Sequence, residues 1–379
     1  MSERTRRLRR LMRLAHLWLT LVTGLVAVVL GASGSVLVFR EEIRSVLAPV
    51  PAWNGRDDVG WERVRDQARH AVPDGSLQIL WFPTEARPYY EAAYKIGSGE
   101  FVGHRRWDAA SGREVPVQDV AWLAWVEELH VNLHLGEVGR QVVHWCTLSL
   151  GALLLTGLYL WWPGWKPWLW LAVRRRGWLL AFDLHRVTGL AALVPLGAMT
   201  ASGLVWAFPD VTRAAAFALV GQRAPGLSAR TLGDVQSAAR PVGVLPVGDA
   251  DLLARARARV GHDAMPFYIT FATEAREARQ VRLQRGYEPW PYGEVLRVYF
   301  DQWTGEVLAV DVAAEKHPVD HVVETWAAPL HFGTFGGRPT MVLYVIAGLM
   351  PLALGVTGVL LWRWRVVRRQ RHTVAAGVL

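Results

Sequence analysis

The sequence predicts a membrane α-helical protein: four transmembrane helices formed by two tandem two-helix repeats, each repeat carrying an inserted small α+β domain outside the membrane. Three observations predict it. Four stretches run for the thickness of a bilayer with almost no charge, basic residues gather at one set of their ends, and the two halves of the chain resemble each other. A hydrophobic content of 52% and 20 Trp in 379 residues, with a mean hydropathy of +0.16, argue against an ordinary soluble enzyme.

The elements follow in order. Residues 1–13 form a basic N-terminus ahead of the first span, 14–39, whose one ionisable residue is His16. A cleaved signal peptide also begins with basic residues, but its apolar core is shorter, so this stretch is read as a retained helix. Residues 40–140 form the first outside domain, 141–162 the second span with His144 and Cys146, and 163–183 a basic loop. The third span is 184–208, uncharged from Val187 onward; 209–338 is the second outside domain, 339–362 the fourth span, and 363–379 a basic C-terminus. Such lengths are needed because, within lipid, a helix satisfies its own backbone hydrogen bonds.

Arg4, Arg6, Arg7, Arg9, Arg10 and Arg13 precede the first span; Lys166 and Arg174 to Arg176 separate the second from the third; Arg363, Arg365, Arg368, Arg369 and Arg371 follow the fourth. Cytoplasmic flanks collect such residues, so both termini are expected in the cytoplasm of a bacterium, with the chain in its inner membrane. The net charge of +9 then reflects topology, and no nucleic-acid partner is needed to explain it. The single cysteine excludes an internal disulfide and a covalently attached c-type haem.

The first and third spans align without a gap: His16 with His185, Ser33-Gly34 with Ser202-Gly203, Phe39 with Phe208. The second and fourth correspond through Leu133-His134-Leu-Gly136 and Leu330-His331-Phe-Gly333, then Thr156-Gly157 and Thr357-Gly358, with four extra residues in the later copy. Each outside domain opens with a helical pattern, 61–71 and 250–260. Strand patterns follow at 78–82, 89–96 and 101–107, and at 267–271, 280–285 and 295–300. Both then present a turn, Asp108-Ala-Ala-Ser111-Gly112 and Asp301-Gln-Trp-Thr304-Gly305, in which Asp bonds nearby backbone and Gly takes positive φ.

The repeat sorts the twelve histidines. A two-fold axis along the membrane normal sets His16 against His185 near the cytoplasmic ends and His134 against His331 just outside the opposite ends. Two opposed imidazoles supply both axial ligands of one haem iron and leave no open position, which suits electron transfer. The plainer reading is that histidine is tolerated at helix ends, where it meets water or headgroups. Ionisable groups in or beside spans recurring in pairs favour ligation. His144 lies inside its span but aligns with Val345; His130, four residues before His134, shares its helix face and is an alternative ligand aligned with Ala327. The remaining six, His70, His104, His262, His317, His321 and His372, read as solvated surface residues. A zinc ion near His134 and His331 needs further ligands, for which Glu127, Glu128 and Glu137 stand nearby. Gly31, Ser33, Gly34, Ser202 and Gly203 permit close approach of a macrocycle or simply of another helix, and Pro195 and Pro351 kink their spans.

The chain resembles the PepSY-associated transmembrane proteins found among bacterial iron-regulated membrane proteins and ferric-siderophore reductases. The likeness rests on Leu-Ala-His16, Leu133-His134, Thr156-Gly157-Leu-Tyr-Leu-Trp161-Trp162-Pro163, Phe182-Asp183-Leu184-His185-Arg186 and Leu330-His331-Phe-Gly333, and it covers nearly the whole chain. His144 and Cys146 lie outside that pattern. The resemblance implies PepSY-like outside domains, two b-type haems, and an oxidoreductase that reduces siderophore-held ferric iron in the periplasm with electrons from a quinol or a cytoplasmic reductase. A non-catalytic scaffold or sensor whose outside domains bind a periplasmic partner is the alternative. A transporter fits less well, since the spans lack carboxylates.

Overall fold

The computed structural model describes residues 2–47, 58–84, 88–96, 100–115, 120–162, 177–224, 235–285, 294–312 and 316–376. Most of the expected basic loop, 163–176, lies outside them. The Ser2 hydroxyl accepts the Thr5 amide at 3.3 Å and Glu3 occupies the first turn of helix α1, Glu3–Leu37. Both features favour a helix start, so α1 begins well before the apolar stretch. Then come α2 (Arg40–Leu47), α3 (Trp61–His70), β1 (Gly75–Trp81), β2 (Tyr89–Ile96), β3 (Glu100–Asp108), β4 (Glu114–Val115), α4 (Ala121–Asn132), α5 (Gly136–Trp161), α6 (Trp178–Ala207) and α7 (Pro209–Leu219). The chain continues through α8 (Asp249–Val260), β5 (Met265–Thr270), β6 (Arg279–Arg285), β7 (Glu294–Phe300), β8 (Val307–Asp311), α9 (Pro318–Phe332) and α10 (Arg338–Ala376). Among the described residues, α1, α5, α6 and the stretch Arg338–Val366 of α10 are long and apolar enough to cross a membrane.

Contacts divide the chain into two units. The membrane unit comprises Met1–Arg44, Val120–Ala215 and Val323–Leu379. In it α1 and α6 each pack against both α5 and α10, which places α1 and α6 on one diagonal of a four-helix bundle. At the α1–α10 crossing a Cβ on Gly31 would lie 2.1 Å from the Gly348 carbonyl oxygen, so only glycine admits this approach. The Ser35 hydroxyl donates to Val345 O at 3.0 Å beside it.

The second unit, Ser45–Asp119 and Ala216–Val322, corrects the expectation of two separate outside domains. Strands from both chain segments join in one antiparallel sheet of order β4-β3-β2-β1-β5-β6-β7-β8. The halves meet where Ile79, Leu80 and Trp81 pair with Thr270, Ile269 and Tyr268. The physical reason is an edge: a four-stranded half standing alone leaves β1 or β5 with unpaired backbone groups, and each covers the other. α3 and α8 bury Val64, Ala68, Leu252 and Ala256 in the same core as Leu80, Tyr90, Ile269, Val281, Leu283 and Phe300. By contacts, α4 and most of α9 group with the membrane unit.

Both expected turns form. The Asp108 carboxylate accepts the Ser111 amide at 2.7 Å and Gly112 has φ +64°. The Asp301 carboxylate accepts the Trp303 and Thr304 amides, each at 2.9 Å, and Gly305 has φ +68°. Burial raises the Asp301 carboxyl, but amide hydrogen bonds from Ala238, Thr304 and Trp303 outweigh it and hold the group below the usual carboxylate range.

Candidate functional site

Four imidazoles in the membrane unit form two pairs. His16 on α1 and His185 on α6 stand across the bundle diagonal, ring centres 6.4 Å apart and planes at 85°. His130 on α4 and His331 on α9 stand 6.3 Å apart with planes at 64°. An iron bonded to one nitrogen of each ring at about 2 Å, with the ring centre roughly 1.1 Å behind that nitrogen, separates the centres by about 6.2 Å. Both pairs have that spacing.

Hydrogen bonds determine which nitrogen is available. His16 Nδ1 meets Thr156 Oγ1 on α5 at 2.9 Å, and the Thr156 hydroxyl donates its own proton to Ala152 O. The threonine oxygen therefore accepts, Nδ1 carries hydrogen, and the lone pair is left on Nε2. His185 is held identically by Thr357 on α10, at 2.9 Å, while Thr357 donates to Ala353 O. In the other pair His130 Nδ1 donates to Leu30 O at 3.0 Å beside the Ser33 hydroxyl, and His331 Nδ1 donates to Met199 O at 3.1 Å beside Ser202. Among the described residues no hydrogen bond engages Nε2 of any of the four. Burial lowers the His130 imidazole; burial, then the neighbouring His130, pushes His331 down to about 4. Both are neutral at pH 7 and keep the Nε2 lone pair.

Each ring also packs against a glycine. A Cβ at Gly157 would stand 3.5 Å from His16 Cε1, at Gly358 3.7 Å from His185 Cε1, at Gly203 3.3 Å from His331 Cε1, and at Gly34 2.9 Å from His130 Cε1. The pairs lie at opposite ends of α1 and α6. Ser33 follows His16 by 17 positions, as Ser202 follows His185, so at about 1.5 Å per residue the two levels are roughly 25 Å apart along the bundle.

The structure corrects the expected pairing of His134 with His331. α4 ends at Asn132, and Leu133 and His134 take φ of +56° and +57°, which carries His134 off the helix face it was expected to share with His130. The His134 ring stacks on Trp125 at 4.8 Å and its Nε2 donates to the Trp125 carbonyl at 2.9 Å, so that nitrogen is occupied. The alignment error has a source. Thr156 and Thr357 are 201 positions apart (357 minus 156), and so are His130 and His331 (331 minus 130). The match through His130 needs no extra residues, whereas the look-alike Leu-His-x-Gly strings required four. His144 lies on α5 with its ring edge-on to Phe208 at 5.9 Å.

Of the hydroxyls and glycines around the rings, Ser33, Gly34, Ser202 and Gly203 were read from the sequence as sites of close approach, whereas Thr156-Gly157 and Thr357-Gly358 stood out as landmarks without an assigned role. The carboxylates considered for zinc are engaged elsewhere: Glu127 with Arg40 and Arg44, Glu128 with Asn132, Glu137 with Arg140. Among the described residues no three His, Cys, Asp or Glu side chains converge as a metal site. Two imidazoles per site, each with a fixed tautomer, could instead supply the protein ligands of a haem.

The chain belongs to the PepSY-associated TM region family, whose model matches residues 13–365. The match takes in all four long apolar helices, both imidazole pairs and the sheet unit, and with those helices it makes this a membrane protein. The comparison with curated proteins gives no match.

Proposed function

We propose that this protein is a haem b-containing transmembrane electron-transfer protein of the bacterial inner membrane that reduces ferric iron, held by a siderophore, on the periplasmic side. The observation that carries the reading is the geometry of the two imidazole pairs: equal spacing, Nδ1 tethered in all four rings, Nε2 left with its lone pair. One-electron exchange at iron is the chemistry that haem supplies when bound. The chain's own part is to aim the imidazoles. Thr156 and Thr357 orient His16 and His185, the Leu30 and Met199 carbonyls orient His130 and His331, and such partners raise the donor strength of the opposite nitrogen. His16 with His185, and His130 with His331, would each hold one haem, and a haem held by two imidazoles would supply electron transfer rather than oxygen chemistry.

In this reading the chain is two copies of a two-helix unit, one copy supplying His16 and His130 and the other His185 and His331. The basic ends of the spans place both termini in the cytoplasm, so the His16/His185 level lies on the cytoplasmic side, towards a quinol or reductase donor. The His130/His331 level lies on the periplasmic side.

The test is the absorbance spectrum of protein purified in detergent after haem-replete expression. Two haem equivalents per chain, with a Soret band that moves on dithionite reduction to the low-spin ferrous position, are expected. A colourless protein, or one with an open-coordination spectrum, would falsify the reading and leave the scaffold or sensor alternative.

A further inference from the structure

The sheet unit carries a cationic groove that the electron-transfer reading does not use. It has a volume of about 830 Å³ and lies between α3, the start of α8 and the sheet. Four cations line it, Arg65, Arg69, Lys95 and Arg279, against two carboxylates, Asp249 and Glu274. Three of the guanidinium groups converge on one carboxylate: Arg279 reaches Asp249 Oδ1 at 2.6 Å, while Arg69 and Arg65 share Oδ2 at 2.8 and 3.2 Å.

The members of this cluster are not equivalent. Arg279 and Asp249 each leave only 6% of the side chain exposed and form a buried pair, with Arg279 also donating to Thr270 O. Arg69 is 47% exposed. Arg69 and Arg279 both lie over the Phe271 ring, at 5.7 and 5.1 Å, which brings two positive groups to one aromatic side chain. Lys95 is matched with Glu274, whose side chain is 74% exposed, and a pair of that kind exchanges readily with solvent ions.

One carboxylate satisfies one guanidinium fork in bidentate fashion. Arg65 turns its Nε and Nη2 to Asp66, at 2.9 and 2.8 Å, whereas Arg69, held on Asp249 through Nη2, keeps donors whose geometry matches carboxylate or phosphate. An ordinary structural staple between α3 and α8 requires one such arginine; the additional positive charge facing an open groove points to an anion.

We propose that this groove binds a small, multiply charged oxyanion, a polycarboxylate or a phosphate ester, through Arg69 and Lys95, with the buried Arg279–Asp249 pair as its floor. The proposal is independent of the haem reading, because all its residues lie in the sheet unit.

The experiment is calorimetric titration of the full-length protein in non-ionic detergent at low ionic strength, with citrate and inorganic pyrophosphate as separate probes. One saturable site is expected for at least one probe, and the tighter of the two identifies the carboxylate or the phosphate class. Arg69→Gln is expected to weaken binding on the order of tenfold, the effect of one charge-assisted contact. Asp249→Asn removes the competing carboxylate and is expected to tighten it, the opposite sign from a purely structural role. Because Asp249 is buried and its variant is at risk of misfolding, Arg69→Gln decides alone if needed, with an unchanged thermal melt as control. Absence of saturable binding of both probes to the wild-type protein, or an unchanged affinity in folded Arg69→Gln, would overturn the proposal.

Discussion

The two imidazole pairs share a spacing but not a construction. His16 and His185 belong to the long helices themselves, and each Nδ1 rests on a threonine hydroxyl of an adjacent long helix. His130 and His331 sit on short helices, α4 and α9, and lean on the carbonyls of Leu30 and Met199 with a serine alongside. The first arrangement is integral to the bundle; the second is docked against its end. A hydroxyl contact is deleted by one substitution, whereas a carbonyl acceptor survives any change of side chain, so the pairs should fail in different ways.

The largest expected effect comes from removing a ring. On the proposed haem reading, His16→Ala or His185→Ala should halve the haem content and spare the other level, and His130→Ala or His331→Ala should do the converse, as measured by pyridine haemochromogen titration. Loss of both haems, or of neither, from every variant would break the comparison. Next is Thr156→Val, which strips His16 Nδ1 of its hydroxyl partner. Haem affinity at that level should fall by roughly tenfold or more, whereas Ser33→Ala should cost His130 much less because Leu30 O remains; haem transfer to apomyoglobin measures both.

Smaller again is the steric contrast among the glycines. Gly34→Ala brings a methyl 2.9 Å from His130 Cε1, too close for the ring to stay in place, and should alter the low-spin electron paramagnetic resonance signal of that level. Gly157→Ala makes an ordinary 3.5 Å contact with His16 and should leave its signal alone. The smallest effect is expected at His134, which stacks on Trp125 beyond the end of α4. His134→Ala should keep both haems, and a lost haem there would restore the pairing that the structure replaces.

Much of this was legible in the sequence because the signals were local. Four apolar stretches announced the spans, and alternation located six of the eight strands within a few residues of their observed ends. β4 and β8 were too short to carry a period, at 2 and 5 residues. The His16/His185 juxtaposition followed from a gapless match, while the other pair was misassigned because a four-letter resemblance outweighed a constant spacing of 201. The left-handed backbone at Leu133 had no advance signal, since leucine rarely adopts that conformation; His134 is of a type that adopts it more often. Convergence of Arg65, Arg69 and Arg279 on Asp249 was also invisible, because Asp249 lies 180 positions beyond Arg69 (249 minus 69) and pattern reading is blind to such separations.

The seam at the middle of the sheet bears on how the protein is made. β1 pairs with β2 along one edge, but its other edge finds a partner only in β5, with Ile79 against Thr270, 191 positions later (270 minus 79). At about 5–20 residues per second, synthesis leaves the β1 edge without that partner for roughly 10–40 seconds. During this interval an open strand with a hydrophobic face waits unpaired, a hazard for edge-to-edge association. Biogenesis of this family member therefore has a built-in window in which a chaperone, or slowed translation between the two sets of strands, would decide the yield.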